Sequence, residues 1–180
     1  GARTGVLHTA HGDISTPTFM PVATQGSVKA VDPTDLAGAG ASIVLGNTYH
    51  LYLRPGVETI RELGGLHEFM RWSGPILTDS GGYQGFSLKS LREINENGII
   101  FTSHIDGSSH IFSPENTIKY QESLGADIIM PLDICSSSQS NKDCLQDSVE
   151  QTFRWARKSI DTHSRSRQSL FGIVQGGLIR

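Results

Sequence analysis

An α/β fold built on a parallel sheet is predicted from two observations. Five short apolar runs alternate with stretches of helix length, and four of those runs end at a polar side chain, Asn47, Asp79, Asp133 and Gln175. In parallel α/β folds the carboxyl ends of the strands carry the ligand site, so these four residues are expected on one rim. A (β/α)8 TIM barrel is the architecture this rhythm favours, and that barrel typically takes about 250 residues. The 180 residues here supply about its first five strand-helix units, plus a β-hairpin insertion.

The first unit reads as a tight turn at Gly12 followed by a short strand with Pro17 and Pro21 at its margins. Pro33, flanked by Asp32 and Asp35, starts a short helix that ends over 37–40, and Ser42-Ile43-Val44-Leu45-Gly46 is the second strand. After Pro55 a helix over 57–63 is closed by Gly64-Gly65. The third strand, Ile76-Leu77-Thr78, carries no charge, reads as buried on both faces, and stops at Asp79.

From 88 to 112 the pattern changes, and Asp106-Gly107 between two alternating runs over 98–105 and 109–112 reads as an inserted hairpin. Ser113-Pro114-Glu115 opens a helix to Leu124, and Gly125 ends it. A fourth strand over 126–133 again ends at a carboxylate. A long polar helix over 142–162 leads to a fifth strand over 170–174, which ends in Gln175-Gly176-Gly177.

With 37% hydrophobic and 18% charged residues the chain suits one globular domain with a sizeable core. No apolar run is long enough to cross a bilayer and the start has no basic-then-apolar export signal, so no membrane partner and a cytoplasmic location are expected. Cys135 and Cys144 are the only cysteines and make neither a zinc spacing nor a disulfide framework. A formal charge of -3 argues against a protein that coats nucleic acid, though not against a local basic contact surface.

The stretch Thr78-Asp79-Ser80-Gly81-Gly82-Tyr83-Gln84 is the chemical centre of this reading. Gly81 and Gly82 allow close backbone approach to a ligand, Ser80 offers a donor and Tyr83 a flat face. Asp79 offers a proton acceptor or a nucleophile. One Asp-Ser-Gly-Gly bend is ordinary turn chemistry, and what makes it a candidate site is the repetition of polar strand ends along the chain. His104 and His110 flank the hairpin turn and could face each other, but with no carboxylate or cysteine partner they are read as surface or packing residues, and no metal is assigned. Arg154, Arg157, Lys158, Arg165 and Arg167 form a basic run, read first as a solvated face and secondly as a phosphate contact.

Several motifs in order resemble the tRNA-guanine transglycosylases (queuine tRNA-ribosyltransferases), especially their bacterial type, from Ala2 to Gly177. They are Thr16-Pro17-Thr18-Phe19-Met20-Pro21-Val22, Gly46-Asn47-Thr48-Tyr49-His50-Leu51, Thr78 to Gln84, Ser103-His104-Ile105-Asp106-Gly107-Ser108, Leu132-Asp133-Ile134-Cys135 and Val174-Gln175-Gly176-Gly177. The resemblance implies a (β/α)8 barrel with a zinc-binding subdomain that exchanges the wobble guanine of tRNA for a queuosine precursor base by double displacement. It implies that Asp79 is the general acid/base and that Ser80, Gly81, Gly82 and Tyr83 form the base-contacting loop. Asp133 then reads the ring N–H and amine of the base, Gln175 and Gly176 face its carbonyl side, and Cys135 lies close by.

On this resemblance residues 1–180 are an incomplete catalytic domain, expected to be inactive alone. The nucleophile, the rest of the barrel and the zinc subdomain belong beyond Arg180, with no cofactor in this part. A tRNA, a guanine-like base and a second copy of the full-length protein are the implied partners. A non-catalytic tRNA-binding subunit of the same family, and a TIM-barrel glycoside hydrolase using Asp79 and Asp133, stay open as alternatives.

Overall fold

The computed structural model describes residues 1–87, 91–136 and 140–177. The start of the insertion at Leu88 and the chain end at Arg180 lie outside the described residues. Helices and a parallel sheet alternate as expected. The strands β3 (Val22–Ala23), β4 (Val44–Gly46), β5 (Ile76–Thr78), β9 (Ile128–Ile129) and β10 (Ser169–Leu170) form one five-stranded parallel sheet in chain order. The ladders are shorter than the apolar runs: the run over 126–133 pairs only at Ile128–Ile129, and that over 170–174 pairs one residue earlier, at Ser169–Leu170.

Three features depart from the sequence reading. Ahead of β3 stands an antiparallel hairpin of β1 (Gly5–Thr9) and β2 (Gly12–Thr16), so Gly12 opens a paired strand rather than a turn into the sheet. Ile14 of that hairpin is buried with Ile43 and Ile128, which gives it a firm seat on the sheet. The insertion has three strands, β6 (Leu91–Asn95), β7 (Gly98–Thr102) and β8 (Ser109–Phe112), not two. Finally, stretches given no helix in the sequence reading coil into short ones: α2 (Thr48–Leu53), α4 (Leu66–Met70) and α5 (Gly82–Ser87).

The helices α1 (Pro33–Gly38), α3 (Val57–Glu62), α6 (Pro114–Leu124) and α7 (Lys142–Thr162) lie where the sequence signals put them. Three of the four are capped at their start by a side chain. Asp32 accepts from Thr34 N at 2.8 Å, Ser113 Oγ from Asn116 N at 3.1 Å, and Asn141 Oδ1 from Cys144 N at 2.9 Å, each satisfying a first-turn amide. Gly125 stops α6 in the left-handed region at φ 80°, which glycine adopts without a Cβ clash.

Two apolar clusters meet beneath the site. Val44, Leu66, Ile76, Ile118 and Leu124 join the sheet to α4 and α6. Tyr49, Ile99, Phe101, Phe112, Leu132 and Trp155 join α2, the insertion and α7. Trp155 is fully buried and its Nε1 donates to Glu96 O at 3.0 Å, fastening the insertion to α7. Among the described residues no helix is long and apolar enough to cross a membrane.

Candidate active site

The carboxyl ends of β4 and β5 and the segment after β9 converge, and they bring together most of the residues picked out in the sequence. Asp79 follows β5 directly. Its Oδ1 accepts from Thr48 N at 2.9 Å and Gly81 N at 3.2 Å, and its Oδ2 accepts from Asn47 Nδ2 at 2.5 Å and Gln84 Nε2 at 2.8 Å. Its backbone carbonyl takes the Thr48 hydroxyl. Burial pushes the Asp79 carboxyl above the ordinary range, and the donors from Asn47, Thr48, Gln84 and Gly81 oppose that rise without cancelling it.

Asp133 forms the second centre. Its Oδ2 accepts from Gln175 Nε2 at 2.7 Å and its Oδ1 from Ser80 Oγ at 3.4 Å. Burial raises its proton affinity, the Gln175 and Ser80 bonds lower it, and the nearby charge of Asp79 raises it again. Two carboxyls whose proton affinity is raised are thus linked through Ser80, which neighbours Asp79 in the chain and bonds to Asp133.

The glycines have a second purpose that the sequence concealed. A Cβ on Gly81 would lie 2.7 Å from Phe112 Cε2 and 3.0 Å from Tyr49 N, and one on Gly82 would lie 3.0 Å from Leu132 Cδ1. Both positions are therefore compressed from the core side, whatever approaches from outside. Gly81 also sits at φ 77°. Tyr83 is 57% exposed, open to a stacking partner. Cys135 is half-buried with a free thiol two residues after Asp133. Gly176 and Gln175 line a cavity of about 240 Å³ with Lys142, Leu145, Gln146 and Val149. Neither Asp79 nor Asp133 lines it, so it flanks the carboxyl pair rather than containing it.

Asn47 stood out as a strand end and Gln84 as part of the central motif, yet their shared task of holding Asp79 was not foreseen. The signal was available only in part, since Asn47 lies 32 residues from Asp79 and the contact depends on how β4 and β5 pair. His104 and His110 do not face each other as the sequence allowed. His104 Nδ1 meets the Tyr49 hydroxyl at 3.1 Å and His110 Nδ1 meets the Tyr52 hydroxyl at 3.0 Å, because each ring packs against a different turn of α2. His50 sits edge-on to both Tyr49 and His104, and burial, then the proximity of His104, lowers its proton affinity against the pull of Asp79. In the basic run, Arg154 is engaged by Gln151 and Glu150, and Lys158 lies 3.7 Å from Glu115, which fits a solvated helix face.

Far from this rim, His11 Nδ1 and His67 Nε2 bond to the two oxygens of buried Asp127 at 2.7 and 3.1 Å. It is the one group of three possible metal ligands close together among the described residues. Its two rings are stacked with centroids 3.6 Å apart and planes 22° apart. Imidazole lone pairs lie in the ring plane, so two nearly parallel rings cannot both aim at one ion. The cluster is a hydrogen-bonded clamp.

Over residues 1–180 the sequence matches the family profile described as Queuine tRNA-ribosyltransferase. It is 57% identical to a queuine tRNA-ribosyltransferase of Halothermothrix orenii over 179 residues, 99% of this chain and 48% of that protein. Against the one from Pelotomaculum thermopropionicum the identity is 53% over 180 residues, 100% of this chain and 49% of the other. Against that of Caldanaerobacter subterraneus subsp. tengcongensis it is 56% over 177 residues, 98% and 47%. The chain thus spans about half the length of the curated relatives it matches.

Proposed function

Because the chain belongs to the queuine tRNA-ribosyltransferase family, we propose that it is the base-recognising part of a tRNA-guanine transglycosylase. In this reading it exchanges the wobble guanine of a tRNA for a queuosine precursor base, in the cytoplasm where its substrate resides. The observation that carries the proposal is the pair of neighbouring carboxyls, Asp79 held by four donors and Asp133 held between Gln175 and Ser80.

Asp133 suits guanine because an ionised carboxylate is acceptor-only and guanine presents two adjacent donors, its ring N–H and its amine. The raised proton affinity of Asp133 falls when those donors arrive, so binding and ionisation support one another. Adenine, with a different donor and acceptor order, would leave a buried group unpaired. Tyr83 supplies an exposed ring on which the base can stack, and the amides near Gln175 and Gly176 suit its carbonyl side.

Asp79 is the general acid/base. Its raised proton affinity lets it hold a proton for the departing guanine and recover one from the incoming base. Double displacement at a ribose carbon needs a second carboxylate as nucleophile. We assign that role, and the structural zinc, to the half of the longer relatives that this chain does not span. The clamp at Asp127 does not fit a metal, and no step here passes through one. The unreversed order of the five parallel strands supports a (β/α)8 barrel, since a doubly wound sheet reverses at a switch point. A homodimer is part of the same reading.

The deciding experiment is incorporation of labelled guanine into unmodified tRNA by the full-length protein, with Asp79→Ala beside it. Incorporation that the substitution abolishes supports the reaction and the acid/base together. A folded, tRNA-binding protein that incorporates nothing would overturn the catalytic reading.

A further inference from the structure

The strand that ends at Asp79 and the strand that leads to Asp133 are neighbours joined by little backbone. β5 and β9 share one paired position, Leu77 with Ile128, whereas β4 and β5 share three. What fills the gap is a side chain from α6. Gln121 is fully buried, and its Oε1 accepts from Met130 N at 2.9 Å and from Thr78 Oγ1 at 3.0 Å. Its Nε2 donates to Met130 O at 2.8 Å and to Thr117 O at 3.2 Å.

Every hydrogen-bonding position of that amide is occupied. Toward Met130 it presents one acceptor and one donor, as the backbone of a paired strand would. Toward β5 its hold passes through the Thr78 hydroxyl, one residue before Asp79. The opposite end of the same seam is closed in a related way, where Asp127 N donates to Ile76 O at 2.8 Å and Ile76 N donates to Asp127 Oδ2 at 2.9 Å. Side chains, not a continuous ladder, therefore set how these two strands lie at both ends.

We infer that Gln121 is a positioning residue that fixes the spacing and relative height of Asp79 and Asp133 across the opened β5–β9 seam. It bonds to neither carboxylate and acts through Thr78 and Met130. A regular ladder would hold the strands about 4.8 Å apart through their own backbones; here the Gln121 amide takes Met130 N and O and reaches β5 through the Thr78 hydroxyl. The functional consequence rests on the base-exchange reading. Misplacement of a reacting group by about 1 Å costs on the order of a hundredfold in rate, so the seam is where a residue remote from the chemistry would matter.

The test uses the full-length protein carrying Gln121→Met, which keeps an unbranched side chain of similar length and removes all four bonds, and Thr78→Val, which removes only the β5 arm. The expected result is a fall of at least about tenfold in kcat/KM for guanine exchange in Gln121→Met. A smaller fall is expected in Thr78→Val, with a double variant no worse than Gln121→Met alone, since the arm is already gone. A Gln121→Met protein with a lowered Tm but kcat and KM within about twofold of the unsubstituted enzyme would reduce Gln121 to a core residue, and additive losses in the double variant would equally overturn the inference. If Gln121→Met does not fold, Thr78→Val alone decides: lowered kcat/KM supports the inference and unchanged kinetics overturn it. A crystal structure of whichever variant folds separates this from the activity itself. Displacement of Asp79 relative to Asp133 supports positioning whatever the enzyme catalyses, and an unmoved pair overturns it. Absence of exchange in the unsubstituted protein overturns the activity reading instead.

Discussion

Gln84 Nε2 lies 2.8 Å from Asp79 Oδ2 and closes the fourth side of that carboxylate. With Asn47, Thr48 N and Gly81 N already in place, Asp79 cannot take a proton from a base at either oxygen until one donor leaves. Gln84 is the one to release, because two of the others are backbone amides and because its own Oε1 is buried without a partner. The arrangement is a resting state in which four donors oppose the rise in proton affinity that burial imposes on the acid/base.

Replacing Gln84 by Met removes a donor that favours the charged form, so the proton affinity of Asp79 rises further. The limb of the pH profile of kcat/KM that reports Asp79 should move to higher pH in the full-length protein. A profile superimposable on that of the unsubstituted enzyme would show that Gln84 does not tune the acid/base. Asp79→Asn, which cannot transfer the proton, should lower exchange by about 10²- to 10⁴-fold while the protein still melts cooperatively.

Gly81→Ala should destabilise the fold through the core and not through the ligand. The new methyl meets Phe112 Cε2 at 2.7 Å and Tyr49 N at 3.0 Å, in a residue already at φ 77°. Overpacking and left-handed backbone together cost about 2–4 kcal/mol. Denaturant unfolding of the variant measures this directly. A loss of ligand affinity with unchanged stability would show that the glycine serves only the ligand.

The sequence was most legible where one atom does one local job. Ser113 and Gly125 mark the ends of α6 because a cap bonds within a few residues of itself, and the polar ends of the apolar runs mark the site because strand ends project there. It was least legible where the partner is remote. Asn47 on Asp79, Gln121 between Thr78 and Met130, and His11 on Asp127 are contacts across 32, 43 or 9, and 116 residues, each decided by tertiary packing. The short helices after Asn47 and Gly81 were missed because neither has a long apolar period. The β1–β2 hairpin was missed because its two strands are mostly exposed, with Ile14 alone fully buried.

The 180-residue chain by itself should associate. Its sheet has open edges at β3 and β10. Beside them Phe19 is 80%, Val22 50% and Val174 97% exposed, so unpaired backbone and apolar side chains coincide. Light scattering after size exclusion should give a mass above 19.5 kDa that grows with concentration. A sharp monomer peak at all concentrations would mean that the edges are covered by other means.

Asp127 should give the fold a distinct acid limb. Burial alone would raise its carboxyl, but hydrogen bonds from His67, Ile76 N and His11, with His11 close by, outweigh burial and hold it at about 2. In an unfolded chain the same group titrates near 3.9. A carboxyl with a lower folded value stabilises the fold fully above the unfolded value, and that contribution disappears as pH falls from about 4 toward 2. Its size is on the order of 2 kcal/mol. Asp79 and Asp133 act with the opposite sign, since their raised folded values favour the folded state as they protonate. The raw pH curve therefore mixes both, and the difference between the unsubstituted protein and Asp127→Asn isolates the clamp. That difference in unfolding free energy should be largest near pH 6 and shrink as pH approaches 2. Two curves that stay parallel through this window would mean that the His11 and His67 bonds do not depend on the charge of Asp127.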